Sequence, residues 1–533
     1  MIEFCKKCNS EDLGVKTGLD HNGRQRRRCN SCGRKITVSY RPAYDPDEVA
    51  FKGVTSAAEK SAPVTSVEAP AVTSRVHVVS SAQNCTPADP EFVAALESYC
   101  RIHGAQMHVI KTRYKNPDAF HAGEEPESYD EILARYLVDD DIALSSRLVI
   151  AGRLRVNATA AAPLSGLDDV HGTKSAIYGH CQLQLRMIPT PHGELPKMIR
   201  TTGALTEKAF SSSKAGQKAD FHHSKAAIVV EILPDGNFIT RELSWCGDQG
   251  CFQDLDTLYY ADGTIASSEI DALVLGDEHV EFEHEETHHA TFGELGIVER
   301  LRPKMLVRHD MHDQFSASHH HEGDPFVKAR KAVAGRDDVE AELMKSVGRL
   351  KWSCEKGIPS VIVDSNHHDH LGKWLSRFDA DRDPKNILTA WELFGMLSKD
   401  MRAGGSRSAF ELFVRDRLGP DLSKFVEFSD ANTPLMLHGI DMSQHGHIGP
   451  NGSRGGPRGF GSSAYKLITG HTHTPGIERG VWTVGTSVPH MPYARGYSSW
   501  MTTHCAVYTT GKRALIHIVG GVFTTLKSPI RKR

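Results

Sequence analysis

The sequence predicts an α/β protein, with a β-rich α+β middle segment and a small cysteine-bearing module at its N-terminus. Three observations predict it. From about residue 267 onward, short buried-type strands run into polar clusters and alternate with helical stretches, as at 324–350 and 387–397. Two Cys-x-x-Cys pairs stand within the first 32 residues. At 533 residues the chain exceeds what one core serves.

Composition sets the outer bounds. The chain is 39% hydrophobic and 24% charged, with a formal net charge of −3. No apolar run reaches the roughly eighteen residues that span a bilayer. The opening Met1-Ile2-Glu3-Phe4-Cys5 lacks the basic-then-apolar order of a secretory signal. A cytoplasmic location is therefore expected, with no membrane partner, and the 11 cysteines are expected as thiols or metal ligands rather than disulfides. Histidine is the outlier: of 30, 20 fall from Gly276 onward. The neutral imidazole is the commonest metal ligand.

The N-terminal module spans residues 1–42. It holds ten Lys/Arg against four Asp/Glu, a local net of +6, which suggests a polyanionic partner. Cys5-x-x-Cys8 and Cys29-x-x-Cys32 have the spacing of a four-thiolate Zn²⁺ site. So short a segment draws most of its folding free energy from metal ligation. Residues 43–74, rich in Ala, Ser, Thr, Val and Pro without periodicity, read as a flexible linker.

The middle segment, 75–263, opens with a strand at 76–79, a helix at about 87–103 and a second strand at 107–110, a βαβ-like start, and then turns β-rich. Polar clusters such as Lys174-Ser175 and Phe221-His222-His223-Ser224-Lys225 read first as ordinary loops and second as substrate contacts.

The third segment, 267–533, carries five strand ends of one kind. Residues 272–276 lead into Asp277-Glu278-His279, and 304–309 into Asp310-Met311-His312-Asp313. Residues 361–364 lead into Ser365-Asn366-His367-His368-Asp369-His370, 441–444 into His445-Gly446-His447, and 466–470 into His471-Thr472-His473. Carboxylates, imidazoles and an amide at strand ends are what a two-cation site needs, and the donor mixture suits Mn²⁺, Fe or Zn²⁺. A carboxylate shared between two such ions, with a hydroxide bridging them, is set for in-line attack on phosphorus.

The order Asp-x-His, Asp-x-x-Asp, Asn-His, His-Gly, Gly-His-x-His resembles the calcineurin-like metallophosphoesterase superfamily over about residues 270–510. The resemblance implies a sandwich of mixed sheets flanked by helices and two divalent ions, Mn²⁺ above all. Asp277, His279 and His473 would hold the first ion, Asp310 would bridge, and Asn366, His445 and His471 would hold the second. His367 would protonate the leaving oxygen, with Asp313 orienting it. Two departures stand out: His309 precedes Asp310 where the family has Gly, and His368 separates His367 from Asp369, leaving the role of Asp369 open. His438-Gly439 competes with His445-Gly446 as the fourth motif, but it reads as a hairpin turn. His288, His289 and His319-His320-His321 lack carboxylates at ligand spacing and read as solvated surface. The glycine-rich loop after His447 is either a connector or a phosphate cradle that includes Arg454.

The N-terminal module resembles zinc ribbons of DNA-handling proteins, in which Arg24, Arg26, Arg27 and Arg28 would meet phosphates. The whole arrangement is similar to a phage-encoded class of host-DNA-degrading proteins, the pre-early proteins of T-odd coliphages. The function expected is a metal-dependent DNase, and the superfamily's double-strand-break-repair nucleases lend analogy. The alternatives are a phosphatase or small-molecule phosphodiesterase, or a non-catalytic nucleic-acid-binding protein on a lapsed phosphoesterase fold. DNA is the expected partner, and the oligomeric state is open, a homo-oligomer included.

Overall fold

The computed structural model describes residues 28–32, 75–115, 128–461, 463–491 and 494–530, together with the backbone of 2–4, 13–19, 25–27, 35–37 and 39–41. Contacts divide the chain into two compact units, Met1–Glu68 and Ala69–Arg533. In the first, strands Leu13–Leu19, Gln25–Cys29 and Lys35–Thr37 form an antiparallel sheet, and Ile2–Phe4 pairs with Ser39–Arg41. Cys29 is buried at the end of its strand, Cys32 follows in the turn, and Arg28 is exposed. Arg26 and Arg27 lie on the same strand, in register with Thr37 and Ile36. Cys5, Cys8, Arg24 and the linker at 43–74 fall outside the described residues.

The second unit opens as its sequence suggests. Strands Val76–Gln83 and Gln106–Thr112 pair in parallel around helix Pro90–His103. That helix starts where the Asp89 carboxylate accepts from the Phe92 N–H with Pro90 in the first turn, and it stops at Gly104, whose φ of 62° only glycine adopts cheaply. These strands belong to a five-stranded sheet with Ala226–Ile232, Phe238–Ser244 and Leu137–Val138.

Two further sheets carry the candidate site. One has six strands in the order Val426–Ser429, Ser360–Val363, Leu306–Arg308, Ile270–Val274, Thr503–Tyr508, Arg513–His517, the first four mutually parallel. Leu306–Arg308 and Ser360–Val363 are buried along their whole length, as parallel strands covered on both faces must be. Parallel neighbours need crossovers, and helices supply them: Glu285–Phe292 and Ile297–Leu301, then Pro325–Val333 and Val339–Glu355, then His368–Ser376, Ile387–Arg402 and Ala409–Ser423. The helix expected over 324–350 is therefore two. Gly335, at φ 66°, follows the first, and the Asp338 side chain starts the second by accepting from the Ala341 N–H.

The other sheet has ten strands. In order they are Met436–Leu437, Ile440–Asp441, Lys466–Thr469, Val481–Thr483, Gly476–Glu478, Leu185–Ile188, Lys197–Thr201, Ser175–Tyr178, Leu148–Ala151 and Ile142–Ala143. Half come from the segment before 263 and half from after 267, joined where Leu185 pairs with Ile477. One core cluster takes side chains from all three large sheets, among them Val79, Ile150, Ile228, Val274, Val307, Ile468 and Trp482. The division expected near 263–267 is thus not a break in packing.

Buried charge ties the two segments further. Arg200 pairs with Glu242, whose other oxygen accepts from the Leu515 N–H at 2.8 Å. Arg241 reaches Glu231 at 2.6 Å and Asp254 at 2.8 Å, and Glu231 also accepts from the Thr524 hydroxyl at 2.9 Å. All five charged groups are buried. Arg241→Met is expected to destabilise the protein by roughly 3–5 kcal/mol, because two carboxylates are left in the interior without a cation. Urea unfolding checks this, and an unchanged midpoint would mean that the network contributes nothing. Among the described residues no helix is long and apolar enough to cross a membrane.

Candidate metal centre

Because Ile270–Val274, Leu306–Arg308 and Ser360–Val363 run parallel in one sheet, the loops that follow them open at one edge. Ile440–Asp441 and Lys466–Thr469, parallel in the ten-stranded sheet, bring His445, His471 and His473 to the same place. The side chains gather into two groups that share one residue. Asp277, His279, Asp310 and His473, all buried, have ligand atoms within 4.8 Å of one another, and so do Asp310, His445 and His471. Asn366 joins the second group, its Oδ1 lying 3.1 Å from His445 Nε2.

The contacts inside these groups are short of protons. His279 Nε2 faces His473 Nε2 at 3.0 Å, where at most one nitrogen can donate. His445 Nε2 lies 3.0 Å from Asp310 Oδ2 and 3.1 Å from Asn366 Oδ1, one nitrogen before two acceptors. His473 Nε2 is 3.1 Å from Asp277 Oδ2, yet neither Asp277 oxygen, nor Asp310 Oδ2, has a well-directed hydrogen bond among the described residues. Buried lone pairs that converge without enough donors are costly unless a cation takes them, so this donor set fits a metal ion.

Backbone geometry agrees. His279, Asp310, His471 and His473 have φ of 41°, 39°, 72° and 56°, in the left-handed region that non-glycine residues occupy at a cost of order 1–3 kcal/mol each. Gly470 is required for a different reason: a Cβ there would stand 2.3 Å from Asp277 Oδ1 and 3.1 Å from His309 Cγ. The loop carrying Asp277 is pinned by Ser487, whose hydroxyl donates to the Gly276 carbonyl at 2.8 Å and whose N–H donates to the Asp277 carbonyl at 2.8 Å. Beneath the site, Arg308 ties Glu278 to Ser360, linking the three parallel strands.

Asp313 does more than the sequence suggests. Its Oδ1 is 2.7 Å from His279 Nδ1 and 3.3 Å from His367 Nδ1, and its backbone carbonyl is 3.0 Å from His367 Nδ1. It therefore fixes the tautomer of a candidate ligand as well as the orientation of the candidate acid. His368, the residue that separates His367 from Asp369, is structural. Its Nε2 accepts from the Met311 N–H at 3.1 Å, its ring stacks on Phe410, and burial pushes it down to about 3, so it stays neutral. Asp369 is exposed in the first turn of helix His368–Ser376 and belongs to neither group. His438 sits at the hairpin turn and bonds Asp271 at 2.6 Å, while His445 enters the cluster. Arg454 is exposed on the loop closed by the Ile448–Arg454 bridge. His180 of the middle segment is a buried, hydrogen-bonded ring, contacting the Asn157 carbonyl at 3.1 Å.

Three neighbours escaped the sequence reading as site residues. His309 is buried with its Nδ1 3.4 Å from His445 Nδ1, and burial pushes it down to about 4. Trp500 stands edge-on to His473, ring centroids 4.4 Å apart. Both ring nitrogens of His447 are buried without a hydrogen-bond partner among the described residues. Only His447 carried a signal, its place in His-Gly-His.

Without metal the site balances its own charge. Burial, the largest influence, would raise Asp277 and Asp310, but His445 leads the positive charges that hold both below the ordinary carboxylate range, Asp310 well below. Burial opposes the charged ring of His279, yet the Asp313 bond and the surrounding carboxylates push it up to about 9. Metal needs that ring neutral. Loading at pH 7 is therefore expected to release protons, and metal affinity to strengthen as pH rises towards 9. Calorimetry in buffers of different ionisation heat reads the release, and heats independent of buffer would contradict it.

An α/β protein whose buried Asp/His clusters could hold a metal ion is the class that this fold and site define. Comparison with known proteins finds Protein A1 of Escherichia phage T5, 32% identical over 465 residues, which cover 84% of this chain and 82% of that protein. No family model matches, and no solved structure matches. The chain belongs to the family of phage T5 Protein A1.

Proposed function

We propose that this chain is a metal-dependent DNA nuclease, phage-encoded and directed at host DNA, with a calcineurin-like metallophosphoesterase site in its C-terminal half. The observation that carries this is the pair of largely buried groups sharing Asp310, built from five strand ends in the order that the superfamily uses. The two sheets that hold them contribute to one core cluster, which fits the sandwich that the resemblance implies. Kinship with a phage protein supports the setting.

Asp277, His279, Asp310 and His473 would hold one ion and Asp310, Asn366, His445 and His471 the other, with Mn²⁺ favoured among the metals that such a mixed oxygen and nitrogen donor set suits. When bound, two such cations supply an activated water and charge stabilisation at phosphorus. The chain's own residues do the rest. Asp313 keeps His279 and His367 in register, and His367 gives its proton to the leaving oxygen. Arg454, exposed on the loop after His447, would meet a backbone phosphate. In the N-terminal unit Cys5, Cys8, Cys29 and Cys32 would bind a structural Zn²⁺, and Arg24, Arg26, Arg27 and Arg28 would contact DNA phosphates.

Incubation with plasmid, linear duplex and a chromogenic phosphodiester in Mn²⁺ tests the substrate. Cleavage of DNA is expected, and activity confined to the small ester would sink the nuclease reading. Since Met1–Glu68 is compact by itself, Cys29→Ser should weaken salt-sensitive DNA binding and leave hydrolysis of the small ester unchanged. Loss of small-ester hydrolysis in that variant would contradict the separation of roles.

A further inference from the structure

The turn His319–His321 reads in sequence as solvated surface, yet the fold sets it against helix His368–Ser376. Ligand atoms of His319, His320 and His370 lie within 4.8 Å of one another. The rings of His319 and His370 are 4.7 Å apart, and those of His319 and His320 are 3.9 Å apart. Two observations separate this from chance crowding of surface histidines. His370 is buried, and the Nδ1 of His319 is buried without a hydrogen-bond partner among the described residues. No carboxylate belongs to the group, so its rings are not paired as imidazolium ions. Burial, helped by His367 and His319, pushes His370 down to about 3, and burial and His320 lower His319, so both rings keep lone pairs at neutral pH.

We propose that His319, His320 and His370 form a separate, imidazole-only divalent cation site that takes Zn²⁺ in preference to Mn²⁺. Three imidazoles and an open fourth position match a tetrahedral zinc site, whereas Mn²⁺ prefers oxygen donors. Zinc–nitrogen bonds of about 2.0–2.1 Å bring ligand nitrogens to roughly 3.4 Å, which small rotations of the two solvent-accessible rings can reach. Lys373 and Arg377 act on His319 electrostatically, so an anion is the natural occupant of the open position. The site adjoins the candidate reaction centre, the His367 and His370 rings being 4.8 Å apart, and a phosphate oxygen of a bound strand is the chemistry that would complete it. The existence of the site does not depend on the nuclease reading.

The test counts metal. Full-length protein saturated with Mn²⁺ is dialysed against Zn²⁺, and bound metals are measured by mass spectrometry in wild type, in the double variant His319→Ala/His320→Ala and in His370→Gln. Circular dichroism verifies the fold of each. Wild type should hold about one Zn²⁺ more than either variant, the count expected of a single three-histidine site. Zinc at the cysteine module, or displacing Mn²⁺ at the neighbouring centre, adds equally to all three proteins and cancels in the difference. Equal zinc in wild type and the double variant overturns the proposal. Asp310→Ala measured alongside keeps the two ideas distinguishable. Retained Mn²⁺ in that variant would count against the shared-aspartate centre and leave the histidine site standing.

Discussion

Asp310→Ala is expected to reduce DNA cleavage by about 10³-fold or more and to strip the divalent metal of this centre from the protein, beyond the 10- to 100-fold typical of outer-shell changes around a metal. Asp310 is the one residue common to both groups, and its Oδ2 lies 3.0 Å from His445 Nε2. Its Oδ1 also receives the His367 N–H at 3.3 Å, so its loss loosens the candidate acid as well as the ions. The substitution leaves His445 buried without its nearest anion, and some loss of stability accompanies the loss of metal. Circular dichroism and metal analysis on the same sample separate the two effects. A folded Asp310→Ala protein with full metal content and undiminished cleavage would mean that the chemistry happens elsewhere.

The residues of this centre were legible because each candidate ligand stands within a few residues of an apolar run, where a strand gives way to a loop. Asp277 after Leu273–Leu275 and His471 after Leu467–Ile468 are local patterns that need no knowledge of pairing. The supports of the centre were not legible. Ser487 and Trp500 reach it from a stretch with no ligand spacing, through contacts fixed only when strands distant in sequence pair. The same limit hid the ten-stranded sheet: nothing local in Leu185 announces that it pairs with Ile477, 292 positions on. A backbone turn, rather than a change in hydrophobic period, divides the helix expected at 324–350, since Gly335 turns left-handed between two amphipathic stretches. The grouping of His319 and His320 with His370 was hidden for a related reason, that partner being supplied by another element.

His367→Ala is expected to lower turnover by about 10²- to 10⁴-fold, the usual range for a positioned acid, with metal content nearly intact. The geometry makes this a sharp test, because His279, Asp313 and His367 also form a group whose ligand atoms are close enough to hold an ion. In that group, however, Asp313 receives two imidazole nitrogens, His279 Nδ1 at 2.7 Å and His367 Nδ1 at 3.3 Å, and its backbone carbonyl lies 3.0 Å from the latter. With His279 Nδ1 bonded to the Asp313 carboxylate and His367 Nδ1 to its backbone carbonyl, Nε2 of His279 would be left for the metal and Nε2 of His367 for the leaving oxygen. An acid role further requires the defect to shrink when the leaving group needs no proton. Against a diester with a nitrophenolate leaving group the loss in His367→Ala should be much smaller than against DNA, and an equal loss on both substrates, or a drop in bound Mn²⁺, would reassign His367 from proton donor to ligand.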